Sequence, residues 1–173
     1  MSEKKPLPYN LFLIGFMGCG KSSVASCLCR TYGMKLLEMD EEIVRREEQS
    51  ISDIFKSKGE EYFRSLETSL LKELQEAENT VVSCGGGVVL RECNVEMMKK
   101  SGKVVLLTAK PETIVQRGSG NHARPLLEGK KNVTDIRKMM EERRPHYEGA
   151  ADLTISTDGK SPDAICRELL ELL

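Results

Sequence analysis

Eight consecutive residues carry the clearest chemistry in this chain. Gly15-Phe16-Met17-Gly18-Cys19-Gly20-Lys21-Ser22 fits the pattern GxxxxGK[ST] at every position. Glycines at this spacing let the backbone fold into a concave nest whose N–H groups point at phosphate oxygens. A helix opening directly afterwards adds its positive N-terminal end. Gly18, Cys19 and Gly20 then form the cradle, and Lys21 supplies a point charge to the β- and γ-phosphates. Ser22 offers a hydroxyl to Mg²⁺, and Ser23 follows it in the first helical turn. The expected ligand is a nucleoside triphosphate with Mg²⁺. No NKxD base-reading motif accompanies the loop, and 173 residues are too few for a large ATPase motor. A kinase of a small acceptor is the class that remains.

The acceptor side is spread along the chain. Asp40 follows the second strand-like run, at the sheet edge where open α/β sheets bind ligands. Arg64 lies in the helical stretch Glu61-Tyr62-Phe63-Arg64, and Arg143 in Glu142-Arg143-Arg144-Pro145-His146-Tyr147. Gly85, Gly86 and Gly87 follow the third strand, where absent side chains let a substrate hydroxyl approach the backbone. Two guanidiniums, a carboxylate and bare backbone suit a small molecule that is both anionic and hydroxylated.

The elements that must position these groups alternate along the chain. Strand-length apolar runs cover 10–14, 35–39, 80–84, 103–108 and 153–156. Amphipathic stretches separate them at 22–32, 41–48, 52–58, 60–77, 95–100, 111–117, 132–144 and 162–173. This is the pattern of a parallel α/β sheet. The 60–77 stretch reads as the longest helix, and the 132–144 helix is expected to stop before Pro145. Residues 118–131 lose all periodicity and read as a lid on a single domain spanning 1–173.

Composition narrows the class further. A hydrophobic content of 39% with 31% charged residues is that of a folded domain, not a disordered chain. With 26 Lys and Arg against 27 Asp and Glu, the net charge of −1 excludes a broadly basic nucleic-acid binder. No apolar run approaches the roughly 20 residues that span a bilayer, and the first eight residues hold no signal-peptide core. The six cysteines, at 19, 27, 29, 84, 93 and 166, form no CxxC pair and read as reduced thiols. A cytoplasmic monomer is expected, one that meets small molecules and neither nucleic acid nor membrane.

Taken together, the motifs resemble the shikimate kinase family over nearly the whole chain. The matching residues are the P-loop, Glu38-Met39-Asp40, Phe63-Arg64, Cys84-Gly85-Gly86-Gly87, Arg124-Pro125-Leu126-Leu127 and Arg143-x-Pro145-x-Tyr147. The resemblance implies the nucleoside-monophosphate-kinase type of P-loop fold, a three-layer α/β domain with five parallel strands in order 2-3-1-4-5. It also implies ATP-dependent phosphorylation of the shikimate 3-hydroxyl, a step of aromatic amino-acid biosynthesis. By the same resemblance Asp40 holds the acceptor hydroxyls, and Arg64 and Arg143 clamp the carboxylate. Gly86 meets a hydroxyl through its backbone, flanked by Gly85 and Gly87. Arg124 covers the transferring phosphoryl group, Arg117 lies near the adenine, and Lys160 with Pro162 forms the base's other wall. Glu38 stands where the family usually has an Asp that holds Mg²⁺ through water, and Cys84 where it commonly has Thr. The alternatives are a gluconate-kinase-like enzyme of another small hydroxy acid and a catalytically idle nucleotide-binding homologue.

Overall fold

The computed structural model describes residues 6–118 and 133–173. Five parallel strands form one sheet: β1 (Asn10–Ile14), β2 (Lys35–Glu38), β3 (Thr80–Ser83), β4 (Gly102–Thr108) and β5 (Leu153–Ser156). Their spatial order is β2-β3-β1-β4-β5, as the resemblance implies. The three central strands are continuous apolar runs because both of their faces are covered. Every residue of β1 is buried, whereas the edge strand β2 is exposed or half-buried throughout.

Helices α1 (Lys21–Tyr32), α2 (Met39–Glu47), α3 (Ile51–Lys58), α4 (Glu60–Glu73), α5 (Glu92–Ser101), α6 (Pro111–Gly118), α7 (Val133–Ala150) and α8 (Pro162–Leu172) complete the described fold. They lie on both sides of the sheet, with α1 packed on α8 and α4 on α5. None of them is long and apolar enough to cross a membrane. Gly33 ends α1 in the left-handed conformation, and the Ser50 side chain caps α3 by accepting from the Asp53 N–H.

Two expectations about helices need correcting. The α4 helix ends at Glu73 and tightens into a 3-10 turn over Leu74–Glu76, so it is not the longest. That place belongs to α7, whose 18 residues run straight through Pro145. Proline removes one backbone donor, here the partner of the Glu141 carbonyl. Residues 141, 144, 145 and 146 are exposed, so water can serve that carbonyl. Beyond the proline, Tyr147 and Ala150 are buried, and their packing carries the helix on. The proposed lid, apart from Gly118, lies outside the described residues, and so does Arg124.

Candidate active site

The cradle forms between β1 and α1, at the carboxyl edge of the sheet. Gly15 must be glycine: its φ is +147°, and a Cβ there would strike the Leu107 carbonyl oxygen. Gly20 precedes α1 in the left-handed conformation, with no side chain capping the helix and no acidic residue in its first turn. The N-terminus of α1 thus keeps its donors and its positive end for an anion. Lys21 folds over the loop, its Nζ donating to the Gly15 carbonyl at 2.6 Å and the Phe16 carbonyl at 3.2 Å.

An oxygen-rich corner lies beside it. The Ser22 hydroxyl donates to Glu38 Oε2 at 3.1 Å and stands 3.4 Å from the Ser83 hydroxyl. Burial pushes the Glu38 carboxyl above the ordinary carboxylate range, against hydrogen bonds from Ser83 and Ser22. The longer side chain at position 38 therefore still reaches the P-loop serine. Cys84 turns its thiol to the Val82 carbonyl, and burial raises its pKa strongly. Ser83, which the sequence reading missed, brings a hydroxyl to this corner where Cys84 cannot. Its signal was a hydroxyl near the end of the strand that enters the Gly triplet.

A cavity of about 690 Å³ runs from Lys21, Ser22 and Glu38 past Asp40 to Ser83, Cys84, Gly85 and Gly86. Asp40 sits in the first turn of α2 on its rim. Behind the Gly triplet, Arg64 is 6% exposed and Glu67 fully buried. Arg64 Nη1 donates to Glu67 Oε1 at 2.8 Å, and its Nη2 to Glu60 at 3.0 Å. Arg143 and Tyr147, one turn apart on α7, both reach Gly86: the Tyr147 hydroxyl donates to its carbonyl at 2.5 Å. A Cβ at Gly86 would lie 3.3 Å from Arg143 Nη1, and one at Gly87 would overlap the Arg64 guanidinium. Among the described residues, Arg64 Nε, Glu67 Oε2 and Arg143 Nη1 are buried without a hydrogen-bond partner. Buried polar atoms are seldom left so, and three together mark a place for a polar ligand.

Glu67 was also missed, though it falls in the apolar stripe of α4 with Phe63, Leu70 and Leu71. A carboxylate in that stripe needs a partner, and Arg64 stands three residues before it. Burial pushes the Glu67 carboxyl up to about 7, against the pull of Arg64. Its folded pKa thus exceeds the ordinary 4.5. The stability it contributes is complete below that ordinary value and is lost as pH rises through about 7. The thermal midpoint should therefore fall across this window, and Glu67→Gln should flatten that part of the profile. Equal slopes in the two proteins would show that another group is responsible.

The remaining expected residues lie around the nucleotide side. Arg117 Nη1 donates to the Gly18 carbonyl at 3.1 Å, placing its guanidinium against the P-loop. Ser23 is exposed in the first turn of α1. Lys160 precedes α8, and its ammonium pairs with Glu168 at 2.8 Å. That pairing turns it along α8, so a base-wall role would require it to leave Glu168.

A phosphate cradle and, on the same sheet edge, a cavity floored by Gly85 and Gly86 with Arg64 and Arg143 close to the triplet are the equipment of a P-loop kinase acting on small molecules. The family model for shikimate kinase matches residues 17–173. A shikimate kinase of Persephonella marina is 42% identical over 161 residues, covering 93% of this chain and 96% of that protein. The solved shikimate kinase from Acinetobacter baumannii in complex with shikimate is 34% identical, with a TM-score of 0.89, over 95% of this chain and 92% of that one. A gluconokinase from Sinorhizobium meliloti 1021 shares the fold alone: 19% identity and a TM-score of 0.61, over 96% of this chain and 92% of that one. The chain belongs to the shikimate kinase family.

Proposed function

We propose that the chain transfers the γ-phosphoryl group of ATP to the 3-hydroxyl of shikimate, acting as a cytoplasmic monomer. The observation that carries this reading is the convergence of Arg64, Arg143 and their unpartnered nitrogens on the Gly triplet beside Asp40. The Arg143 guanidinium and the unpartnered Nε of Arg64 suit a carboxylate, and the backbone of Gly85 to Gly87 suits hydroxyls. Asp40 orients the attacking hydroxyl, and Lys21 offsets charge on the phosphoryl oxygens. Arg124 is assigned a second positive charge there by sequence resemblance.

The corner of Ser22, Glu38 and Ser83 fits Mg²⁺, because hydroxyl and carboxylate oxygens are the hard donors this ion prefers. Ser22 would hold it directly and Glu38 through water, and when bound it supplies charge neutralisation at the phosphates. The residues themselves position, neutralise and shield, which is most of what phosphoryl transfer needs.

A coupled ADP-release assay with shikimate, gluconate or no acceptor tests the reading. Turnover should require shikimate. Turnover with gluconate alone would overturn the acceptor, and none with either would mean an idle binding protein.

Arg64→Ala and Arg143→Ala should each raise the shikimate KM about ten- to a hundredfold, the worth of a charged hydrogen bond in a partly dry pocket. The KM for ATP should change little. Arg64→Lys should recover little, since a point charge cannot reproduce the fork. Full rescue by Lys would show that charge alone matters there.

A further inference from the structure

A loop that turns its N–H groups inward must turn carbonyls outward, and each buried carbonyl needs a donor behind it. On the outer side of the loop Arg117 serves the Gly18 carbonyl. The Cys19 carbonyl is served by the hydroxyl of Thr157, which lies just past β5 and is 1% exposed. That hydroxyl donates at 2.8 Å to Cys19, with the Thr108 carbonyl at 3.0 Å sharing its proton, and accepts from Arg117 Nη1 at 3.2 Å. The Thr157 carbonyl accepts from Arg117 Nη2 at 3.4 Å. One side chain thus joins the P-loop, the end of β4 and the last turn of α6.

The Cys19 carbonyl and the Gly20 N–H belong to one planar trans peptide and point in opposite directions. Holding the carbonyl behind the loop therefore aims the N–H into the cradle. We propose that Thr157 is a positioning residue for the nucleotide, its hydroxyl fixing the Cys19–Gly20 peptide and Arg117 before the phosphates arrive. The inference rests on the P-loop as the nucleotide site and adds a residue that touches no substrate.

Calorimetric titration of the full chain with MgADP, magnesium pyrophosphate and shikimate tests it, using wild type, Thr157→Val and Thr157→Ser. Valine keeps the shape but deletes the hydroxyl, so the Cys19 carbonyl loses its donor. Affinity for MgADP and for pyrophosphate should fall together, by about five- to thirtyfold for one well-placed hydrogen bond. Thr157→Ser should recover most of it, and shikimate affinity should be unchanged. Should the valine variant fail to fold, Thr157→Ala against Thr157→Ser gives the same comparison, since both lack the methyl.

Wild-type binding of MgADP by the folded valine variant overturns the proposal. So does a loss confined to MgADP with pyrophosphate spared, or an equal loss for shikimate. A wild-type chain that binds neither phosphate ligand overturns the nucleotide site itself, and this inference with it.

Discussion

Lys21→Met should cost at least about 10²–10³-fold in kcat, the penalty for losing one preorganised contact to transition-state charge. The ammonium lies over the P-loop, held by the Gly15 and Phe16 carbonyls, and needs only to turn to meet a phosphate. Methionine keeps the length and loses the charge. The fold should survive, because Lys21 opens α1 at the surface of the loop and is no part of the core. Stopped assays with saturating ATP and shikimate, beside circular dichroism, would measure both. A folded Lys21→Met enzyme with near-normal kcat would remove Lys21 from the chemistry.

The second large effect belongs to Asp40→Asn. This change keeps size and much of the hydrogen bonding but removes the negative charge and the proton acceptor. If Asp40 takes the proton from the attacking hydroxyl, kcat should fall about 10²–10⁴-fold, the usual worth of positioned acid–base catalysis. A positioning role alone would give a smaller loss shared with the shikimate KM. Nucleotide affinity should hold, since Asp40 lies on α2 and the cradle residues are untouched. Weakened ATP binding with normal shikimate binding would instead assign Asp40 to the metal corner.

Much of this was legible in the sequence, for physical reasons that differ from residue to residue. The P-loop is contiguous, so its spacing alone specifies a shape. β1 and β4 carry the continuous apolar runs 11–14 and 104–107 because helices cover them, which made their positions plain. Ser83, Glu67 and Thr157 were not legible as site residues. Ser83 and Thr157 act on partners far along the chain, Ser22 and Cys19, and Glu67, though paired with Arg64 on its own helix, faces the distant Gly85. Only the closing of the sheet brings them together. The end of α7 was misread because Pro145 is a strong local stop signal, and tertiary burial of Tyr147 outweighed it. That continuation is what sets Arg143 and Tyr147 on one helical face. A helix broken at Pro145 would have separated them.

The glycine triplet has a consequence for how this chain can evolve. A side chain added at Gly85 would come within 2.5 Å of Glu67 Oε2 and 3.1 Å of Asp40. At Gly86 it would press on Arg143, and at Gly87 on Arg64. Each position thus faces a different charged group, Glu67, Arg143 or Arg64, and an added methyl would press on it. A compensating change elsewhere would have to move a guanidinium or a carboxylate, altering which molecule the pocket accepts. A substitution in the triplet therefore bears on the acceptor side through the charged side chain it meets.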